Sequence, residues 1–285
     1  YEISLGLVGS EMCIRDRLES TTFISMDTIK TNKKPKALVT GFSSGIGLAY
    51  SKYLALNNWE LELVAQNPEK SEMAFNAIKN KDSTYHLADL SKPEGVEEIT
   101  KKVKDPDLII ANAGITMFGE AGSIDKEDRK DLFYLLCHGV IDLIEAYVPN
   151  MVKVGEGRIV IISSIGAITP MPKSSIYASA KSAIYSYGQS LSQELSSKNI
   201  SVTVSLPGYV KTEAHSRAGL DHLREKVPSW MWIDAEKVVE ETEKASLKKK
   251  STVIPGKVYK LVRPFLGMSL ATSLWNKITK RSNKK

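Results

Sequence analysis

Short apolar runs that end on glycine or on a small polar turn recur along this chain, and a stretch with helical spacing follows each of the first five. "KALVT" ends at Gly41 and gives way to "GIGLAYSKYLALNN", with Ile46, Ala49, Tyr50, Tyr53, Leu54 and Leu56 at helical spacing. "ELELVAQ" leads into "PEKSEMAFNAIKN", which Pro68 opens, and "STYHLADL" leads into a helix from about Pro93 to Val103. "DLIIANAG" precedes a long helical stretch over residues 124–152, and "GRIVIISS" precedes a helix running to about Ser197. "ISVTVSLPG" and "STVIPG" supply a sixth and a seventh strand. In "KALVT", "DLIIANAG" and "GRIVIISS" the apolar residues run together without period-two alternation, as in strands buried on both faces of a parallel sheet. The pattern predicts an α/β fold: a doubly wound parallel sheet of about seven strands, helices on both faces, in a single domain.

Length and composition agree with one large core: 285 residues, 42% of them hydrophobic, with no internal repeat and no linker. The two cysteines, Cys13 and Cys137, lie too far apart to give a metal-ligand spacing or a disulfide framework. No metal site is expected, and a reducing, cytoplasmic compartment is. Residues 1–25 lack both a basic n-region with an apolar stretch and any sustained periodicity, while Met26 opens a short polar lead into the first strand. They are expected to be a non-native or disordered extension. That segment carries two arginines and four acids, so without it the formal charge moves from +6 to +8. Much of the excess sits in local runs, "KNK", "KKVK", "LKKK" and "KITKRSNKK", which read as solvated faces and tails rather than a nucleic-acid surface.

Three turns fall at the carboxyl ends of strands, where an open parallel sheet has its ligand crevice. "TGFSSGIG", Thr40 to Gly47, places glycines at 41, 45 and 47 between a strand and a helix. A dinucleotide-binding turn needs this: a tight bend, close approach of backbone to a pyrophosphate, and a helix N-terminus aimed at it. "ANAG" closes the fourth strand and "LPGYVKT" the sixth. In "SSIYASAK", Tyr177 and Lys181 stand four apart, one above the other on a helix face. A free phenol, with a pKa near ~10, is a poor base at neutral pH, and a nearby ammonium favours its phenolate.

In order and spacing, "TGFSSGIG", "ADL" at 88–90, "ANAG", "IISS", "YASAK" and "LPGYVKT" resemble the short-chain dehydrogenase/reductase family over about residues 35–256. The resemblance implies a Rossmann-like fold and an oxidoreductase acting on a carbonyl/secondary alcohol pair, working as a homo-oligomer. It implies Tyr177 as the acid/base, Lys181 lowering its pKa and holding the cofactor ribose, and Ser164, thirteen residues before Tyr177, hydrogen-bonding the substrate oxygen. Cofactor contacts are implied at Gly41, Ser43, Ser44, Gly45, Ile46 and Gly47 in the first turn, and at Asp89 (toward the adenine) and Leu90 after the third strand. Further contacts fall at Asn112, Ala113 and Gly114, and at Pro207, Gly208, Val210 and Thr212, with Tyr177 and Lys181 completing the set. Gln66 ends the second strand where an acid would hold a ribose 2′-hydroxyl and signal NAD. With no acid there to repel a 2′-phosphate, NADP(H) is favoured, with NAD(H) as the alternative.

Two positions depart from the family pattern. Leu136, in "LLCHG", stands where the family has an asparagine whose main-chain carbonyl holds a relay water. A leucine keeps the carbonyl but not the amide, and this keeps open a nucleotide-binding sensor or scaffold with weak turnover. His138 close by is read as a helix residue. Ala111 replaces a first asparagine in "ANAG", with little effect expected.

Between Pro207 and Asp234 lies the family's lid region, whose Trp230, Met231 and Trp232 read either as an apolar contact surface or as packing residues. No arginine cluster there suggests a grip on carboxylate or phosphate, which fits an apolar or lipid-like carbonyl or alcohol. Residues 26–256 are expected to form the domain and residues 257–285 an apolar helix with a basic tail. The uncharged stretch Pro264–Trp275 is shorter than the ~20 residues a bilayer span needs. It reads either as packing or dimer contact, or as peripheral contact with a membrane surface.

Overall fold

The computed structural model describes residues 34–212 and 227–263. The expected extension at 1–25, most of the lid region and the stretch from Pro264 onward lie outside the described residues. The first half alternates as the sequence predicts: β1 (Lys36–Thr40), α1 (Gly45–Leu56), β2 (Glu60–Ala65), α2 (Pro68–Ile78), β3 (Ser83–Leu87), α3 (Pro93–Lys102) and β4 (Leu108–Ala111). A long helix follows, formed by α4 (Lys126–Phe133), a π-helical turn at Tyr134–His138 and α5 (Gly139–Val154). Then come β5 (Gly157–Ile162), α6 (Ser175–Ser196), β6 (Ile200–Ser205), β7 (Tyr209–Val210), β8 (Trp232–Ile233), α7 (Ala235–Leu247), β9 (Thr252–Val253) and α8 (Lys257–Val262).

Seven strands form one sheet in the order β3-β2-β1-β4-β5-β6-β9, every neighbouring pair parallel. The continuous apolar runs are explained by two cores, one on each face. Ala37 and Val39 of β1 enter one core and Leu38 the other; Val160 and Ile162 of β5 likewise oppose Ile159 and Ile161. Residues of α3, α5 and α6 cover the first face, and those of α1, α2 and α7 the second. By length and composition the segment Lys126–Val154 could cross a membrane. Its Leu143, Ile144, Tyr147 and Met151 are buried against the sheet, as in a core helix.

Local chemistry sets the ends of these elements. Asn67 caps α2 by accepting the Lys70 N–H at 2.8 Å, and Pro68 takes the first turn, where a missing N–H costs nothing. One buried ion pair crosses the layers: Arg158 of β5 donates to both carboxylate oxygens of Glu243 on α7 at 2.7 Å, and the Tyr50 hydroxyl of α1 donates to Oε1 at 3.0 Å.

Three features go beyond the sequence expectation. The long helix is not uniformly α: at the π-turn the Gly139 N–H reaches back five residues to the Tyr134 carbonyl. A separate two-stranded pair, β7 with β8, aligns Tyr209 with Trp232. The core also continues past residue 256, since Tyr259 is 1% exposed and Val262 packs against the same cluster.

Candidate active site

The strand order reverses between β1 and β4, and the crevice this opens lies at the carboxyl ends of the strands. Thr40 and Asn112 hold its two sides together. Thr40 Oγ1 accepts the N–H groups of Asn112 at 2.9 Å and Ala113 at 3.0 Å, and the Asn112 amide donates to the Thr40 carbonyl at 2.9 Å. Gly41 and Gly45 adopt φ of +70° and +56°, which L side chains rarely tolerate. A Cβ on Gly47 would lie 2.2 Å from the Gly41 carbonyl oxygen, so only glycine lets α1 start this close to the strand end. The first turn of α1 carries no acid, leaving the positive end of the helix available to an anion.

Opposite this turn, β5 ends in two serines with different duties. Ser163 donates to the main-chain carbonyl of Lys181 at 2.9 Å and so pins α6 to the strand. The Ser164 hydroxyl accepts the Gly166 N–H at 3.1 Å, which orients the oxygen and leaves its own proton available for donation. Tyr177 sits in the first turn of α6 and Lys181 one turn later, the ammonium 6.0 Å from the centre of the phenol ring. Lys181 is buried and donates to the Ile162 carbonyl at 2.8 Å. Burial pulls its pKa down from the usual 10.5 to about 8.

Fourteen of the expected residues line one cleft: Gly41, Ser43, Ser44, Gly45 and Ile46; Asn112 and Gly114; Ser164, Tyr177 and Lys181; and Pro207, Gly208, Val210 and Thr212. Gly47 and Ala113 stand behind it as packing and backbone support. Gln66, Asp89 and Leu90 lie outside its walls, beyond the ends of β2 and β3. Gln66 is exposed. One oxygen of Asp89 takes the Ser91 N–H at 2.9 Å and the Ser91 hydroxyl at 2.7 Å, so it shapes the turn into α3.

The cleft also contains residues not anticipated from the sequence: Ile115, Thr116, Ile165, Thr169, Met171 and Tyr209. Most lie on irregular segments after β4 and β5, where no periodicity shows which side chains point inward. Leu136 is buried on the π-turn. A Cβ built on Gly114 would sit 2.9 Å from Leu136 Cδ2 and 3.9 Å from Lys181 Nζ, so the leucine fills space beside the ammonium. His138 is exposed, its ring 5.9 Å from that of Phe133. The two readings of residues 230–232 divide: Met231 is core, Trp232 packs on Tyr209 at 5.4 Å, and Trp230 is exposed.

The family model described as short chain dehydrogenase matches residues 35–222, from the start of β1 past the last cleft-lining turn. The chain belongs to the short chain dehydrogenase family. It is thus an oxidoreductase of NAD(P)-dependent fold. Among curated members of the family, it is 29% identical to a 3-oxoacyl-(acyl-carrier-protein) reductase of Chlamydia muridarum, over 66% of this chain and 78% of that one. It is 31% identical to the oxidoreductase UcpA of Escherichia coli, over 62% and 69%. Among solved structures, a short-chain dehydrogenase from Sphingobium yanoikuyae in complex with NADPH shares the fold, with a TM-score of 0.74 and 24% identity over 88% of this chain and 98% of that one.

Proposed function

We propose that this short-chain dehydrogenase transfers a hydride between NADP(H) and an uncharged carbonyl/secondary alcohol pair. The observation that carries the reading is the convergence of Ser164, Tyr177 and Lys181 on the cleft walled by the glycine turn. That turn fits a dinucleotide: two glycines at positive φ, a third that no Cβ could replace, and a helix start without acids. Gly41 to Ile46, Asn112 to Gly114 and Pro207 to Thr212 would hold the cofactor, with Lys181 toward its ribose. When bound, the reduced nicotinamide supplies the hydride that reaches the carbonyl carbon.

The residues of the chain manage the oxygen. As the C=O π pair moves onto oxygen, the Ser164 hydroxyl donates to the developing negative charge. Tyr177 gives that oxygen its phenolic proton, completing the alcohol. The Lys181 ammonium favours the phenolate left behind, and solvent returns the proton. In the oxidative direction each transfer reverses. Apart from Lys181, whose ammonium is turned to Ile162, no described lining residue of the cleft carries a charged side chain, which supports a neutral substrate. Exposed Gln66, rather than an acid, at the end of β2 supports NADP(H) over NAD(H).

Leu136 beside Lys181 favours a second reading, a nucleotide-binding sensor with weak turnover, because a buried leucine brings no polar group to the ammonium. Calorimetric titration of the full chain with NADPH and with NADH tests the cofactor assignment. Tighter NADPH binding is expected, and binding of neither would remove the foundation of both readings. A ketone panel run with NADPH against Tyr177→Phe then separates enzyme from sensor. Turnover that falls about 10²-fold or more in the variant identifies the enzyme.

A further inference from the structure

We infer that the Thr169 hydroxyl is a second hydrogen-bonding contact for the substrate, selecting uncharged carbonyl compounds that carry another oxygen function, as in a keto ester, diketone or hydroxyketone. The inference rests on the proposed oxidoreductase reading and adds to it the substrate class. Thr169 lies five residues past Ser164, on the irregular segment between β5 and α6, and lines the same cleft as Ser164 and Tyr177. The residue is 6% exposed, and its Oγ1 has no hydrogen-bond partner among the described residues. Among the described residues three other buried side-chain atoms share that condition, on Ser83, Arg158 and Ser246, and none of those residues lines the cleft. A buried hydroxyl is ordinarily paired, because leaving its water hydrogen bonds unreplaced destabilises the fold. In the wall of a binding cleft, the partner can arrive with the ligand.

The surroundings narrow what that ligand group can be. Ile115, Ile165 and Met171 give the cleft apolar wall, and among the described residues the only charged side chain in the lining is committed to a main-chain carbonyl. An ionised group would therefore be buried without a counter-charge, whereas a neutral oxygen matches a hydroxyl that can donate or accept. The Met171 thioether lies over Gly166, where an added Cβ would meet Sδ at 2.1 Å. An unbranched thioether is the kind of wall that repacks around a guest.

The test compares ethyl acetoacetate with methyl pentyl ketone, a probe of matched length lacking the second oxygen function, in the wild type and in Thr169→Val and Thr169→Ser. The wild type and the serine variant are expected to prefer the keto ester. The valine variant is expected to lose about tenfold in kcat/KM on the keto ester and to keep its rate on the simple ketone within about twofold. Its melting temperature should equal or exceed that of the wild type, since it loses only an unpaired hydroxyl. Equal losses on both probes, no loss on either, or a lowered melting temperature would overturn the inference. If the wild type reduces neither probe, the oxidoreductase reading fails separately. A rise in melting temperature induced by ethyl acetoacetate, present in wild type and absent in the valine variant, would then still uphold the contact; its absence from both would overturn it.

Discussion

The Lys181 ammonium donates to the Ile162 main-chain carbonyl at 2.8 Å, and among the described residues no carboxylate is hydrogen-bonded to it. A neutral carbonyl fixes the position of a buried cation without supplying a counter-charge, so the cost of removing it from water is not offset. This is why its pKa falls to about 8.

Stability should follow that titration. Below about pH 8 both folded and unfolded chains carry the charge, and folding bears the cost of burying it. Between about 8 and the usual 10.5 the unfolded chain alone holds the proton, so this residue's contribution to stability rises with pH. Relative to Lys181→Met, the wild type should gain roughly 3 kcal/mol across that window, measured by urea unfolding at a series of pH values. Under the proposed mechanism, carbonyl reduction should move the other way, declining above about pH 8 as the charge proposed to make Tyr177 a better acid is lost.

Adjacent serines should separate cleanly. Ser163 holds the carbonyl of Lys181 at 2.9 Å, so Ser163→Ala is expected to cost about 1 kcal/mol of stability with a modest rate loss. Ser164→Ala removes the bond from Gly166 and, under the proposed mechanism, the donor to the reacting oxygen. Its kcat should fall about 10²-fold or more with little change in melting temperature. Steady-state kinetics beside calorimetry distinguishes the two.

Cofactor choice should turn on Gln66. The side chain is exposed at the end of β2, so a substitution there leaves the core untouched. Under the proposed NADP(H) reading, Gln66→Asp places a negative charge near the cofactor's 2′-phosphate. NADPH affinity should drop about tenfold or more while NADH affinity holds or improves. Paired calorimetric titrations read both arms.

Glu243→Ala should be among the most destabilising changes distant from the cleft. It leaves Arg158 without its carboxylate and the Tyr50 hydroxyl without its acceptor, at a cost of about 3–5 kcal/mol. Denaturant midpoints report the loss, and kcat below the melting transition should be unchanged.

The parallel sheet was legible because its central strands are buried on both faces, and burial on both faces writes itself as an unbroken apolar run; "KALVT" and "GRIVIISS" are the clearest cases, whereas the edge strand "STYHL" has no buried residue. The glycine turns were legible because Gly41, Gly45 and Gly47 answer steric demands that no other residue meets. Thr169 and Met171 were not, because the loop after Ser164 has no periodicity to say which side chains face the cleft. The π-turn around Leu136 likewise has no residue signature; it is a difference of one residue in hydrogen-bond reach. β7 and β8, at two residues each, are too short to show a pattern.

Tyr259 stands on a helix of only six residues, yet its hydroxyl takes the Tyr209 N–H at 2.9 Å and gives its proton to the Met231 carbonyl at 2.6 Å. Its ring also lies where a Cβ on Gly208 would come within 2.0 Å. The end of the described chain is thus a peg driven through the turn that walls the cleft. Trimming the protein after Gly256 would pull that peg out, so a shortened chain would report on a damaged cleft as well as on a missing tail. By the same geometry, anything that tugs on the chain beyond Val262 has a short mechanical lever onto Pro207 and Gly208.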